Sequence, residues 1–190
     1  GKVRVRVVRC YNLPNADWSL TGNNLSDPYV KLGVGVRGRL PAEEYVRKTR
    51  TLLDDLDPTF DEEFELEVHN LELQELVVEV FDEDTKFDAD DLLGQCSVQI
   101  ATARDGRLAH GEWYRLRCPH ALHQQAVQRA KAAGATEYTT PSIFLEVEWT
   151  PLSDISETAL EIAEGRARRR KPMQRAHDTA AKLMMDLPES

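Results

Sequence analysis

Cysteine is scarce in this sequence. Cys10, Cys96 and Cys118 are few, odd in number and far apart, which excludes a disulfide scaffold and suits a reducing compartment such as the cytoplasm. No apolar run approaches the roughly 20 residues that a membrane-spanning helix needs, and no secretory leader is visible. A basic surplus is lacking as well. Asp and Glu number 33 against 24 Lys and Arg, leaving a net charge of −9, the wrong sign for a general nucleic-acid binder. Gly-x-Ser-x-Gly, the phosphate-cradling Gly-x-x-x-x-Gly-Lys-Ser/Thr and His-Glu-x-x-His are all missing, so none of these three enzyme motifs supports catalysis. These absences leave a binding module or an interaction protein. The chain opens inside a strand pattern, as expected of a piece cut from something longer.

What is present begins with charge density. Residues 82–91, DEDTKFDADD, hold six carboxylates in ten positions. Like charges at this spacing repel, so the stretch costs stability unless something offsets it. A solvated acidic loop, a disordered tail and a cation cage are the ordinary explanations.

The surrounding pattern has a period of two. In KVRVRVVR, Val3, Val5 and Val7 face one way and Lys2, Arg4 and Arg6 the other, the signature of a half-buried strand. PYVKLGV aligns Val30, Leu32 and Val34. FDEEFELEV sets Phe60, Phe64, Leu66 and Val68 against Asp61, Glu63, Glu65 and Glu67. YVRKTRT, ELVVEVF, GQCSVQI, EWYRL and SIFLEVEW complete about eight short strands, YVRKTRT polar and edge-like. Turn-rich loops separate them, so the expectation is an all-β, eight-stranded antiparallel Greek-key sandwich. PHALHQQAVQRAKAAG, 119–134, has Pro at its start and Gly at its stop and predicts a helix inserted before the last strand. Beyond a boundary near 152 the period changes. Asp154 and Glu157 form a capping box, and Ile155, Ala159, Ile162 and Ala163 follow at helical spacing. Pro172 separates these from a second stripe, Met173, Ala176, Ala180, Leu183, Met184 and Leu187. The expected tail, 153–190, is thus two amphipathic helices, docked on their own domain first, with pairing to a second copy or another protein partner second.

A loop between two strands is held by a scaffold, which disfavours the disordered-tail explanation. A second acid-bearing loop, NLPNADWSLTGNNLSDP, joins the first two strands. If both lie at one end, Asp17 and Asp27 face Asp82, Asp84 and Asp91. Five carboxylates around one hollow suit Ca²⁺, which takes six to eight oxygens; neither loop carries nitrogen or sulfur ligands for zinc. Cys118, His120 and His123 have an isolated spacing that a helix start explains better than zinc.

Three stretches resemble signature motifs of C2 domains: SDPYVKL (26–32), LDPTFDEEFELEV (56–68) and VFDEDTKFDADDLLG (80–94). The first strand with its trailing Leu-Pro fits too. The resemblance covers about residues 2–150, has the order of the permuted type II variant, and is closest to the tricalbin and extended-synaptotagmin group. It implies a Ca²⁺-dependent module that binds anionic phospholipid, phosphatidylserine foremost, at the cytoplasmic surface of a membrane. Such a module belongs to a larger trafficking, signalling or lipid-transfer protein. The calcium ligands it implies are Asp17, Asp27, Asp82, Asp84 and Asp91, with Asp90 or Asp88 as alternatives for the last. Loop one is longer than usual. The alternatives are a domain that keeps only a solvated acidic rim, and a calcium-independent protein-interaction module. Trp18, Leu20 and Phe87 lie within the loops and are candidates for membrane insertion, Trp18 alternatively packing on its own loop. Tyr29, Lys31, Lys48 and Arg50 match positions that bind phosphoinositide in related domains; Gly33 stands where a basic residue is frequent, so a solvated strand face is the competing account. The basic run 166–171, RARRRK, is most simply a solvated run; anionic lipid and a nuclear import receptor are the alternatives.

Overall fold

The computed structural model describes residues 1–17, 24–84, 89–105, 111–135 and 140–151. Among these, eight strands form: β1 (Lys2–Tyr11), β2 (Pro28–Gly35), β3 (Arg47–Lys48), β4 (Thr59–Glu67), β5 (Glu75–Asp82), β6 (Asp91–Gln99), β7 (Glu112–Arg115) and β8 (Ser142–Thr150). An α-helix, α1 (His120–Ala132), lies between β7 and β8. The strands build two four-stranded antiparallel sheets, ordered β4-β1-β8-β7 and β3-β2-β5-β6. The fold is therefore the expected sandwich. The tail at 153–190 lies outside the described residues.

Alternation places the core between the sheets. Val3, Val5, Val7, Phe60, Leu145 and Val147 from one sheet meet Val30, Leu32, Leu76, Val78, Val80 and Leu93 from the other, all wholly covered. β1 has a bulge: its register against both β4 and β8 shifts between Val7 and Arg9, which returns Cys10 to the interior. Asp61, in β4 where that strand passes the bulge, has φ 54°. An extra residue in one strand bends it and strengthens its twist.

Two features depart from the sequence pattern. Only Arg47–Lys48 of YVRKTRT pairs as a strand, and Glu43–Tyr45 forms a 3₁₀ turn instead. The chain between β2 and β3 also folds back over β2. A Cβ on Gly33 would lie 2.7 Å from Pro41 Cδ, and one on Gly35 would collide with the Arg39 carbonyl oxygen. Gly33, Gly35 and Gly38 have Gly-x-Gly-x-x-Gly spacing. Here the first two sit in a strand and make room for this strap, not at a helix start where they would receive phosphate.

The β1–β2, β3–β4, β5–β6 and β7–β8 connections gather at one end. The Asp55 amide reaches the Ser26 carbonyl at 3.2 Å, and the Glu83 amide reaches the Asp27 carbonyl at 3.0 Å. α1 joins the same end, since Asn12 Nδ2 donates to the Ala126 carbonyl at 3.3 Å.

Candidate functional site

The acidic end is built from three of these connections. Asp82 closes β5 and pairs in register with Pro28 of β2 and Asp91 of β6. It is 1 % exposed. Its Oδ1 accepts the Asp27 amide at 2.6 Å, whereas its Oδ2 is buried with no partner. Burial raises the Asp82 pKa, hydrogen bonds from Ser26 and the Asp27 amide oppose that rise, and the charges of Asp17 and Asp27 add to it. Asp17 is also raised, first by burial and then by Asp84, Asp27, Asp54 and Asp91. These two groups feel the convergence that the sequence suggested. Asp27 turns its Oδ1 to the Asp54 amide, 2.7 Å away.

Asp90 and Asp91 have different surroundings. Asp90 Oδ2 accepts the Tyr29 hydroxyl at 2.5 Å and its Oδ1 accepts the Asp84 amide at 3.2 Å. Asp91 opens β6 opposite Asp82, and its charge acts on Asp17. Asp91 thus acts on the acidic hollow, while one oxygen of Asp90 ties the connection to β2 and the other holds the connection's own Asp84 amide. Asp88 lies outside the described residues, as do Trp18, Leu20 and Phe87.

The donor chemistry fits a hard divalent cation. The gathered groups are carboxylates, and one of them keeps a buried oxygen unsatisfied; oxygen sets of this kind suit Ca²⁺ better than zinc. Among the described residues, no three acidic, histidine or cysteine side chains are drawn into one ready-made coordination set.

Two residues of the middle connection were not anticipated. Asp54, with φ 52°, accepts the Leu25 amide at 3.0 Å while its own amide holds Asp27. Leu53 beside it is 74 % exposed. The signal available in the sequence was an acidic pair within LLDDLDP, in a connection that strand parity sends to the same end.

The cationic face is more divided. Tyr29 is almost wholly covered and stacks on Phe81 at 5.6 Å, with Lys48 Nζ 3.6 Å above its ring. Lys48 also pairs with Glu83 at 2.6 Å, and Lys31 lies opposite Glu79 with its ammonium 3.5 Å from Glu43. Arg50 does not join them. Its guanidinium reaches β4, contacting Glu62 at 3.1 Å and the Thr59 carbonyl at 3.1 Å. Each of these three cations thus has an acid partner within the chain, and the strap through Leu40 and Pro41 fills the space over Gly33.

The family model described as C2 domain matches residues 1–116. The chain belongs to the C2 domain family. It is similar to extended synaptotagmin-3 of Mus musculus, 32 % identical over 116 residues, which are 61 % of this chain and 12 % of that protein. Among solved structures, a single C2 domain of plant extended synaptotagmin 1 superposes with TM-score 0.57 at 20 % identity, covering 81 % of this chain and 97 % of that one. The calcium-bound pair of C2 domains of extended synaptotagmin 2 superposes with TM-score 0.54 at 25 % identity, covering 78 % of this chain and 45 % of that one. The C2 chain therefore spans a small part of its full-length relative. Among the described residues, no helix is long and apolar enough to cross a membrane.

Proposed function

We propose that this C2 domain is a Ca²⁺-dependent module that binds anionic phospholipid surfaces peripherally, and that it is not an enzyme. The observation that carries the reading is the buried, unpartnered Oδ2 of Asp82 beside Asp17, Asp27 and Asp91. A buried polar atom without a partner costs free energy, more so when it bears charge. A cation would supply the partner that this one Asp82 oxygen lacks. Asp17, Asp27, Asp82, Asp84 and Asp91 would hold Ca²⁺, which when bound supplies the positive charge that reverses the loops' own field. The loops then do the rest through their own residues. Leu53 projects into solvent next to Asp54, and Trp18, Leu20 and Phe87 belong to the same connections by sequence; burying such a side chain in lipid is worth roughly 1.5–3 kcal/mol. Phosphatidylserine is the expected headgroup class. A phosphoinositide at Tyr29, Lys31 and Lys48 is secondary, because it must displace Glu83 and Glu43 first.

The similarity to extended synaptotagmins supports placing the module in a larger protein that works at membranes, cytoplasmic and recruited by Ca²⁺. Calorimetric titration with Ca²⁺ tests the core of the reading. Heat of binding is expected from the unmutated chain and none from the double variant Asp82→Asn, Asp84→Asn. A flat titration of the unmutated chain would leave a calcium-independent interaction module in its place.

A further inference from the structure

Helix α1 is held to the sandwich by polar contacts more than apolar ones. Its buried residues are Ala126 and Ala130, which contribute little area. Arg129 does more: its Nη2 donates to Asn12 Oδ1 at 2.8 Å and to the Leu13 carbonyl at 2.7 Å. Burial lowers the Arg129 pKa and the charge of Asp57 acts against that, but a guanidinium stays protonated, so the two bonds are charge-assisted and persistent. Asn12 needs such holding. It has φ 54°, and its amide is fixed by Asp57 Oδ1 at 2.6 Å; a left-handed non-glycine residue persists only where its surroundings over-determine it.

Three residues along the chain from Asn12, a second contact from α1 leads toward the acids. Gln125 Oε1 on α1 accepts the Asn15 amide at 3.0 Å. Asn15 then branches. Its Nδ2 donates to the Asn24 carbonyl at 3.0 Å, and Asn24 Nδ2 donates to Asp17 Oδ2 at 2.7 Å. Its Oδ1 accepts the Ser26 amide at 2.9 Å, and the Ser26 hydroxyl lies against Asp82. One asparagine thus connects the helix to both Asp17 and Asp82, whose pKa burial raises first and neighbouring acids raise further.

We propose that α1 is the positioning element of the acidic site, with Arg129 and Gln125 as positioning residues that set Asp17 and Asp82 through Asn12 and Asn15 without touching a cation. The proposal rests on the cation-binding reading above and assigns part of the site's affinity to a helix outside the acidic loops. Preorganising ligands in this way removes part of the ordering cost that binding would otherwise carry.

The test is calorimetric Ca²⁺ titration of the full chain, with circular dichroism to check each variant's fold. Arg129→Ala is expected to weaken Ca²⁺ binding roughly tenfold, the size of one lost charge-assisted hydrogen bond. Arg129→Lys is expected to recover part of that loss, since it restores charge and a donor. Gln125→Ala, at an exposed position, is expected to weaken binding with its fold intact, and it decides the matter if Arg129→Ala does not fold. His120→Ala on the same helix should bind as the unmutated chain does. Unchanged affinity in both Arg129→Ala and Gln125→Ala, with the unmutated chain binding Ca²⁺, overturns the positioning role alone. An unmutated chain that ignores Ca²⁺ overturns the cation site and the positioning role together.

Discussion

Asp82 shows what a single residue costs and provides. Its folded pKa is raised, so the native state holds its proton more tightly than the unfolded chain does. Below the unfolded value of about 3.9 both states are protonated and no penalty exists. The penalty grows as pH rises from there and is fully present once pH has passed the raised folded value. Asp82→Asn keeps an Oδ1 to accept the Asp27 amide and removes the charge. The variant is therefore expected to melt a few degrees higher than the unmutated protein at pH 7 without Ca²⁺; about 1 kcal/mol corresponds to 2–4 °C in a chain of this size. Acidification below the carboxylate range should close that gap. Added Ca²⁺ should raise the melting temperature of the unmutated protein and leave the variant unmoved, because the ion stabilises only a state that binds it. Scanning calorimetry with and without Ca²⁺ reads all three outcomes, and an apo variant that melts lower would refute the burial argument. Asp17, Asp27, Asp82, Asp84 and Asp91 stand out in the sequence because they crowd two loops that flank apolar strands and match the C2 resemblance. Asp54 does not, since its part depends on a positive φ and on bonds to Leu25 and Asp27 across 27 to 29 positions of chain. The choice between Asp90 and Asp91 was equally closed to spacing alone. The contact that distinguishes the two is the Tyr29 hydroxyl, which Asp90 accepts.

Elements repeat this division between local pattern and distant contact. Period-two alternation made β1, β2, β4, β5, β6 and β8 readable, because each presents one face to a shared core. β3 shrank to two residues since Glu43–Tyr45 turns in 3₁₀ form before it. The strap over β2 left no periodic signal at all, only glycines. Those glycines give a test at this scale. Gly35→Ala places a methyl group on the Arg39 carbonyl oxygen, which is backbone and cannot rotate away. Either the strap lifts or β2 shifts in its ladder with β5. Overpacking of this kind costs typically 1–3 kcal/mol, so denaturant titration should show Gly35→Ala unfolding at a lower midpoint. Gly134→Ala is a contrast, as nothing lies within 4 Å of its added Cβ and only its φ of 80° opposes the change. Equal midpoints for Gly35→Ala and the unmutated chain would mean that the strap does not rest on β2 in solution.

At the scale of the whole molecule, the net charge of −9 sets the default behaviour. An acidic surface approaching an anionic bilayer is repelled, and the Lys31 and Lys48 charges do little against this while Glu43 and Glu83 hold them. In the proposed function, attachment depends on changing the sign at the end where the acidic connections meet. Three results should follow for vesicles containing phosphatidylserine. Sedimentation with the vesicles should require Ca²⁺ and reverse with a chelator. It should weaken as salt is raised from about 0.05 to 0.3 M, where the Debye length falls below about 10 Å. Leu53→Ala should weaken it further, by roughly tenfold if the leucine enters lipid, with Ca²⁺ affinity in solution unchanged. Leu53 is suited to this test because 74 % of it is already exposed, so its loss takes little from the core. The three results separate the contributions: chelation reports the cation, salt the field, and Leu53→Ala the apolar contact. Vesicle binding that persists in chelator would move the attachment site from the acidic loops to the cationic face, and Lys48→Ala would then abolish it.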